Sequence, residues 1–572
     1  MRSKLTIGLV ILLTTTGWMY GKQSKLGRDL EGVDPKSTVD VIVQYKHVPT
    51  EADHQWVRGQ GGALTRRYGR VRAGVYRVRA SKLQALANNP EVTFITPDRK
   101  VHGKLDVTAA TVNAPVAWQQ GLDGTGIGVA IIDSGITQVD DLGSRVVYSQ
   151  DFTGEGITDD LYGHGTHVAG IVAGNGADSI CTTCTRMLQG IAPNANLIDL
   201  RVLDETGSGN DSSVIAAIDQ AIALASTYNI RVINLSVGRP VMESYTQDPL
   251  DQAVEAAWQA GIVVVVAAGN DGRDNTFGEN GYGTITVPGN DPYVITVGAM
   301  KNEGTPDRTD DMVASYSSKG PTMIDLVVKP DIVAPGNLTV SLLANPNDTL
   351  PTTEPTTLIS NTYYNSAGDG STSPSYYTLS GTSMATPVVS GAAALLLEQN
   401  PSLTPDQVKA TLMLTASKTF PTSSQATEPT TGVTYTSYYD IFTIGAGYLD
   451  IAAALANPNV ATGTALSPTV AYNPTTSTVV LVTDPSAVWG TGVVWGTGVV
   501  WGTGVVWGTN AVGSTSVLSG TGVVWGTGVV WGTGVVWGTG VVWGTGVVWG
   551  TNVVYGTSTM AADCIVAAHG EK

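Results

Sequence analysis

Only three of the 572 residues are cysteine, five are phenylalanine, and 14% are charged. So little cysteine excludes a disulfide-built scaffold. Cys181 and Cys184 form a Cys-x-x-Cys pair that reads as a local disulfide, because a redox motif needs a thioredoxin-like setting and zinc needs further ligands. Cys564 is left over and reads as free or bonded to another chain. Beyond the first residues, no apolar run approaches membrane-spanning length without a glycine, polar or charged interruption. Basic residues are scarce past residue 104: 18 Lys and Arg stand against 8 Asp and Glu up to that point, and 13 against 40 beyond it. So acidic a body does not suit nucleic acid, and its leading segment carries the opposite charge and can be attracted to it. From 485 to 562 there is no charged side chain at all.

What is present is enough apolar residue, 42%, for a sizeable core, in a chain too long for one ordinary domain. Residues 1–21 carry a basic start (Arg2, Lys4) and a short apolar stretch over 5–13, the pattern of a secretory signal, so the protein is expected outside the cell. Residues 37–100 read as a small α+β unit, with strands at 39–45, 74–78 and 92–95 and helices at 51–69 and 81–88.

From 104 to 457 the pattern changes. Short, almost continuous apolar runs at 129–132, 197–203, 232–235 and 262–267 alternate with helical stretches such as 213–228 and 251–260. Strands apolar on both faces, alternating with helices, predict an α/β fold with a parallel sheet covered on both sides. Ligands in such sheets sit at the carboxyl ends of the strands. The polar stretch 339–378 reads as a surface insertion, and 418–440 resembles it. Residues 458–487 read as a Pro/Thr/Ser-rich linker. A repeat of period six, Val-Val-Trp-Gly-Thr-Gly, fills 488–557, and 558–572 form a tail. Val-Val-Trp suits a strand and Gly-Thr-Gly a bend, so the repeat predicts a stacked or self-associating β array.

The chemistry lies in four short segments. Gly381-Thr382-Ser383 precedes a long apolar helix, whose N-terminal N–H groups and dipole favour a nucleophile. Asp133 follows the first buried strand, and His164 sits in Gly163-His164-Gly165-Thr166-His167. Asp…His…Ser is one of the known chain orders of the hydrolytic triad. His164 then serves as general base, Asp133 holds its tautomer, and Ser383 attacks a carbonyl carbon. The side-chain amide of Asn270, in Ala267-Ala268-Gly269-Asn270, suits an oxyanion together with the Ser383 N–H. His167 lies three residues from His164, but no third ligand is near, so it reads as a buried or hydrogen-bonding neighbour rather than a zinc ligand.

These segments resemble the three signatures of the subtilisin family of serine peptidases, the subtilases. Gly190-Ile191-Ala192-Pro193, Ser315-Tyr316-Ser317-Ser318-Lys319-Gly320-Pro321 and Lys329-Pro330-Asp331-Ile332-Val333-Ala334-Pro335-Gly336 also resemble family segments. The resemblance implies a secreted endopeptidase made as a self-processing zymogen, acting on protein and peptide substrates. Residues 22–103 would be its inhibitory, chaperone-like propeptide, cut near 101–106. It implies that a substrate strand adds beside Ser208-Gly209 and beside Ser236-Val237-Gly238. Ala267-Ala268-Gly269 would line the primary specificity pocket, with Asp271 at its rim. No cofactor is needed for the chemistry. The family's structural calcium would fall at Asp141, although residues 174–186 depart from the usual loop and carry the cysteine pair instead. The repeat has no counterpart in compact family members. The alternative is a surface-associated adhesive or assembly protein whose repeat is the chief functional part.

Overall fold

The computed structural model describes residues 25–27, 30, 33–68, 71–97, 104–105, 107–275, 279–428, 431–473 and 478–482, with short pieces at 499–501, 505–507, 516–518, 560–561 and 571. The expected signal, the cleavage joint apart from residues 104–105, most of the repeat, and Cys564 lie outside them. The chain divides into two units between His102 and Gly103. Among the described residues no helix is long and apolar enough to cross a membrane.

In the first unit, β1 (Thr38–Tyr45), β2 (Ala63–Arg67), β3 (Ala73–Arg79) and β4 (Val92–Pro97) form an antiparallel sheet in the order β2-β3-β1-β4. Helices α1 (Glu51–Gly59) and α2 (Leu83–Ala87) contribute Val57, Leu83 and Leu86 to a core with Val41, Val43, Tyr76, Val78 and Ile95. The helix expected over 51–69 is shorter. It stops at Gly59, Gly61 takes a φ of +82°, and the chain returns as β2.

His54 is fully buried in this unit, its Nδ1 2.7 Å from the Tyr76 hydroxyl, which receives the Tyr45 hydroxyl at 3.2 Å. Burial lowers the His54 pKa from its ordinary 6.5; Arg67 and Arg58 push the same way, while Glu51 and Asp53 oppose them. With the folded pKa depressed, the unfolded chain binds more protons below about pH 6.5, so this contribution to stability is complete above that pH and drains away as the pH falls towards the folded value. Amide exchange in β1 and β3 of the full chain, corrected for intrinsic rates, is expected to be faster at pH 5 than at pH 7.5. His54→Gln should remove most of the difference. Equal protection at both pH values in the parent chain would exclude His54 as its source.

The second unit is built on an eight-stranded sheet. Its strands are β5 (Gly128–Asp133), β6 (Val146–Asp151), β7 (Asn196–Arg201), β8 (Ile230–Leu235), β9 (Val263–Ala267), β10 (Ile295–Lys301), β11 (Met312–Val313) and β12 (Ile332–Pro335). The order is β11-β10-β9-β8-β5-β7-β6, with β12 also on β10. All pairings are parallel except β10–β11. Every residue of β5 and β9 is buried, as expected of strands covered on both faces. Helices α3 (His164–Ala173) and α6 (Thr382–Gln399) pack together, and α6 lies along the central strands. Helices α4 (Asp211–Tyr228) and α5 (Pro249–Gln259) pair with each other against β8 and β9. Helix α7 (Pro405–Thr415) follows α6, opened by a Thr404/Gln407 capping box.

Two polar stretches turn out to be structural. The stretch 339–378 is no simple surface loop: Thr339–Leu342, Leu358–Ser360 and Thr372–Leu379 form a three-stranded sheet. Its tyrosines Tyr376 and Tyr377 are fully buried, because their hydroxyls reach Asp141 and the Gly163 carbonyl. The expected linker begins as part of the second unit. Thr469–Asn473 and Thr478–Val482 pair as a hairpin, Val470 and Leu481 are buried, and Pro468 and Val470 bond to Val328 and Leu326. Residues 418–440 do form a peripheral hairpin, Ser423–Thr427 with Thr434–Tyr438.

Candidate active site

Asp133 ends β5, and His164 begins α3 on the neighbouring chain segment. His164 Nδ1 lies 2.7 Å from Asp133 Oδ1, and both side chains are fully buried. The same Oδ1 accepts the Ser134 N–H at 2.8 Å, so the carboxylate is fixed by its own turn before it meets the ring. Gly165 allows the close approach: a Cβ there would sit 2.2 Å from the Gly135 carbonyl oxygen. Asp160, which sequence reasoning passed over, ties these parts together. Its Oδ1 accepts the Gly163 N–H at 2.7 Å and the Ser134 hydroxyl at 2.8 Å, and its Oδ2 accepts the Thr166 N–H at 2.8 Å. Asp160 thus satisfies early N–H groups of α3 from outside the helix. Burial pushes its pKa up, and the three donors pull against that. An aspartate four residues ahead of a helix-starting histidine was the available signal.

Ser383 lies in the first turn of α6 and is buried; its hydroxyl donates to the Ser236 carbonyl at 3.2 Å. Pro387 lies inside the helix and has no N–H to give to the Ser383 carbonyl four residues back. That carbonyl instead accepts the Ser236 hydroxyl at 2.9 Å, while Asn234 Nδ2 donates to the same hydroxyl at 3.0 Å. Asn270 follows β9. Its Oδ1 accepts the Thr382 N–H at 2.9 Å and the Thr382 hydroxyl at 3.2 Å, which fixes the amide plane and commits its oxygen, so that its N–H₂ edge points away from Thr382.

The remaining expected residues sort by neighbourhood. Gly238 and Gly269 both face Thr286, where added Cβ atoms would come within 2.6 and 2.8 Å of that side chain. Gly269 also has a φ of +100° and faces Ser318. Thr286 therefore packs between these two segments with Ser318 beside Gly269, and no short motif marked Thr286. Val237 is buried beside Gly238. Ala267 pairs with Val297 inside the sheet, and Ala268 bonds to Val297 and Thr286. Asp271 is exposed, its N–H on the Ser318 hydroxyl at 3.0 Å. Ser208–Gly209 is a two-residue edge strand paired with Met560–Ala561.

His167 is fully buried, with Nε2 3.1 Å from the Thr339 carbonyl and its ring edge-on to Tyr377. Burial, then the nearby His164, push its pKa down to about 3, so it stays neutral and structural. Cys181 and Cys184 are bonded. Asp141, the expected calcium position, is engaged within the protein. Its Oδ1 accepts the Asp178 N–H at 2.7 Å, its Oδ2 accepts the Tyr376 hydroxyl at 2.7 Å, and burial raises its pKa. The Arg145 guanidinium donates to the Asp141 carbonyl. Each carboxylate oxygen thus accepts a donor from a different segment, which makes Asp141 a clasp between them. Among the described residues no three His, Cys, Asp or Glu side chains converge as metal ligands.

Comparison with known proteins gives a consistent picture. The subtilase family matches residues 124–434. Serine protease AprX of Bacillus subtilis (strain 168) is 37% identical over 392 residues, 65% of this chain and 82% of that protein. The alkaline protease of Alkalihalobacillus alcalophilus is 34% identical over 338 residues, 58% and 71% of the two chains. Subtilisin E of Bacillus subtilis (strain 168) is 31% identical over 423 residues, 73% and 94%.

Proposed function

The chain belongs to the subtilase family and is a serine-type endopeptidase, and from that premise we propose that Asp133, His164 and Ser383 carry the reaction in a self-processing, exported zymogen. The observation that carries the assignment is the 2.7 Å contact between His164 Nδ1 and Asp133 Oδ1 at the carboxyl end of the sheet. With Nδ1–H held by the carboxylate, the lone pair lies on Nε2. That nitrogen takes the Ser383 proton as Oγ attacks the scissile carbonyl carbon. The oxyanion is met by the Ser383 N–H and by the Asn270 amide, whose plane Thr382 has set in advance. His164 then gives the proton to the departing amine, water replaces it, and the acyl–enzyme is hydrolysed by the same steps in reverse order.

Proteins are the substrates. Their main chain lies beside Ser208-Gly209 and Ser236-Val237-Gly238 as an added strand, with the primary side chain in the recess between Gly238 and Gly269. Residues 22–103 act as the inhibitory leader and 1–21 as the export signal. Intact mass followed over time tests the zymogen. The wild type is expected to lose the leading segment and cleave casein, whereas Ser383→Ala keeps the segment and leaves casein whole. Loss of the segment from purified Ser383→Ala, with other proteases absent, would refute self-cleavage.

A further inference from the structure

One buried carboxylate on the second unit comes from far along the chain. Glu571 is 1% exposed. Its Oε1 accepts the Ser315 N–H at 2.9 Å, Arg273 Nη2 at 2.9 Å and the Ser315 hydroxyl. Its main chain is held too: its N–H donates to Asn337 Oδ1 at 3.0 Å, and its carbonyl accepts Asn337 Nδ2 at 3.0 Å. An amide that grips both the N–H and the C=O of one residue holds a peptide main chain, and a guanidinium with an N–H and a hydroxyl selects a carboxylate side chain. Arg273, Ser315 and Asn337 are thus a built pocket for an acidic residue of a peptide. It is rooted next to the nucleophile, since Gly336, the neighbour of Asn337, accepts the Gly381 N–H at 2.8 Å, two residues before Ser383.

A second contact comes from the same stretch of chain. Met560–Ala561 pairs antiparallel with Ser208–Gly209, Ala561 opposite Ser208 and Met560 opposite Gly209. Ser208–Gly209 is the edge assigned to substrate above, and the inference rests on that reading. Glu571 lies ten positions after Ala561, an extended reach of up to about 35 Å.

We propose that Met560–Ala561 and Glu571 are the two anchors of an intramolecular peptide ligand, which competes with protein substrates for the Ser208–Gly209 edge and is retained by the Arg273–Ser315–Asn337 pocket. Tethering gives the ligand a high local concentration, so modest contacts suffice to hold it. An external substrate must displace it, which raises KM and leaves the chemical step untouched.

The test uses full-length protein whose intact mass still includes residue 571, with Glu571→Gln and Glu571→Lys beside the parent. On a chromogenic peptide substrate, Glu571→Lys is expected to lower KM about tenfold with kcat unchanged, and Glu571→Gln to do so less strongly, as loss of a tethered, charge-assisted contact would. A synthetic peptide of residues 560–571 should inhibit Glu571→Lys competitively, and the same peptide with lysine at its glutamate position should not. Amide exchange is measured in parallel in a Ser383→Ala background, where no cleavage intervenes. Protection at Ser208–Gly209 should fall on Glu571→Lys. Unchanged KM together with unchanged exchange would overturn the proposal. If no variant hydrolyses any substrate, yet protection at Ser208–Gly209 still depends on Glu571, the endopeptidase reading fails and the docked segment stands.

Discussion

Replacing Ser383 with alanine is expected to cut casein hydrolysis about 10⁶-fold, a size taken from serine removal in a subtilisin, a relative of this chain, rather than derived from the structure. Asp133→Asn is the sharper test because the geometry says how it fails. Asp133 Oδ1 accepts both the Ser134 N–H and His164 Nδ1. An asparagine must keep its single oxygen at that position, since an amide N–H₂ there would face the Ser134 N–H. His164 therefore keeps an acceptor and its tautomer, but loses the negative charge that stabilises the imidazolium formed as Ser383 is deprotonated. The expected loss in kcat/KM is about 10²–10⁴-fold, the upper figure being that of a serine protease in which the same change also imposes the wrong tautomer. Steady-state rates with melting curves would check it. A loss under tenfold would reduce Asp133 to a cap on its own turn.

The largest expected effect on stability lies away from the site. Asp331 is fully buried between two fully buried lysines. Its Oδ2 accepts Lys329 Nζ at 2.7 Å and the Thr296 N–H at 2.8 Å, and its Oδ1 faces Lys409 Nζ at 3.3 Å and takes the Ser467 hydroxyl. Burial alone would raise its pKa, but Lys329 and Lys409 hold it below the usual carboxylate value. Lys409 also donates towards the carbonyls of Pro292, Tyr293 and Val294. Burial already pulls the Lys409 pKa down to about 7 against the pull of Asp331, so Asp331→Asn strands the Lys329 ammonium and drives Lys409 neutral, and should cost about 3–5 kcal/mol. Adding Lys409→Met should recover part of the loss, because the buried amine that must shed its proton goes with it. Urea midpoints of the two single variants and the double variant measure this. A cost for Asp331→Asn below about 1 kcal/mol would show that the lysines had been neutral already. Ser467 belongs to this cluster, so a chain ended at 457 would disturb the core rather than merely shed a linker.

The parallel sheet was legible because its strands are buried on both faces and read as unbroken apolar runs: 129–132 and 262–267 fall on β5 and β9. The Asp133–His164 pair was legible because glycines and small residues crowd both segments to permit close approach. Thr286 and Tyr377 were not, since each acts through contacts set by the fold, and Asp160 and Ser318 stood in readable segments whose roles depend on such contacts. The stretch 339–378 was misjudged for the same reason. Its buried tyrosines are satisfied by hydroxyl bonds to Asp141 and Gly163, partners more than two hundred residues away.

Pro387 has a consequence for anyone who would redesign this protein. By denying the Ser383 carbonyl its helical partner, it hands that carbonyl to the Ser236 hydroxyl, while the Ser383 hydroxyl rests on the Ser236 carbonyl. The first turn of α6 and the segment that follows β8 are thus stitched together by two bonds running in opposite directions. With the roles proposed for Ser236 and Ser383, selectivity and turnover are not independent dials at this seam, and altering residue 236 to retune recognition also re-aims the serine.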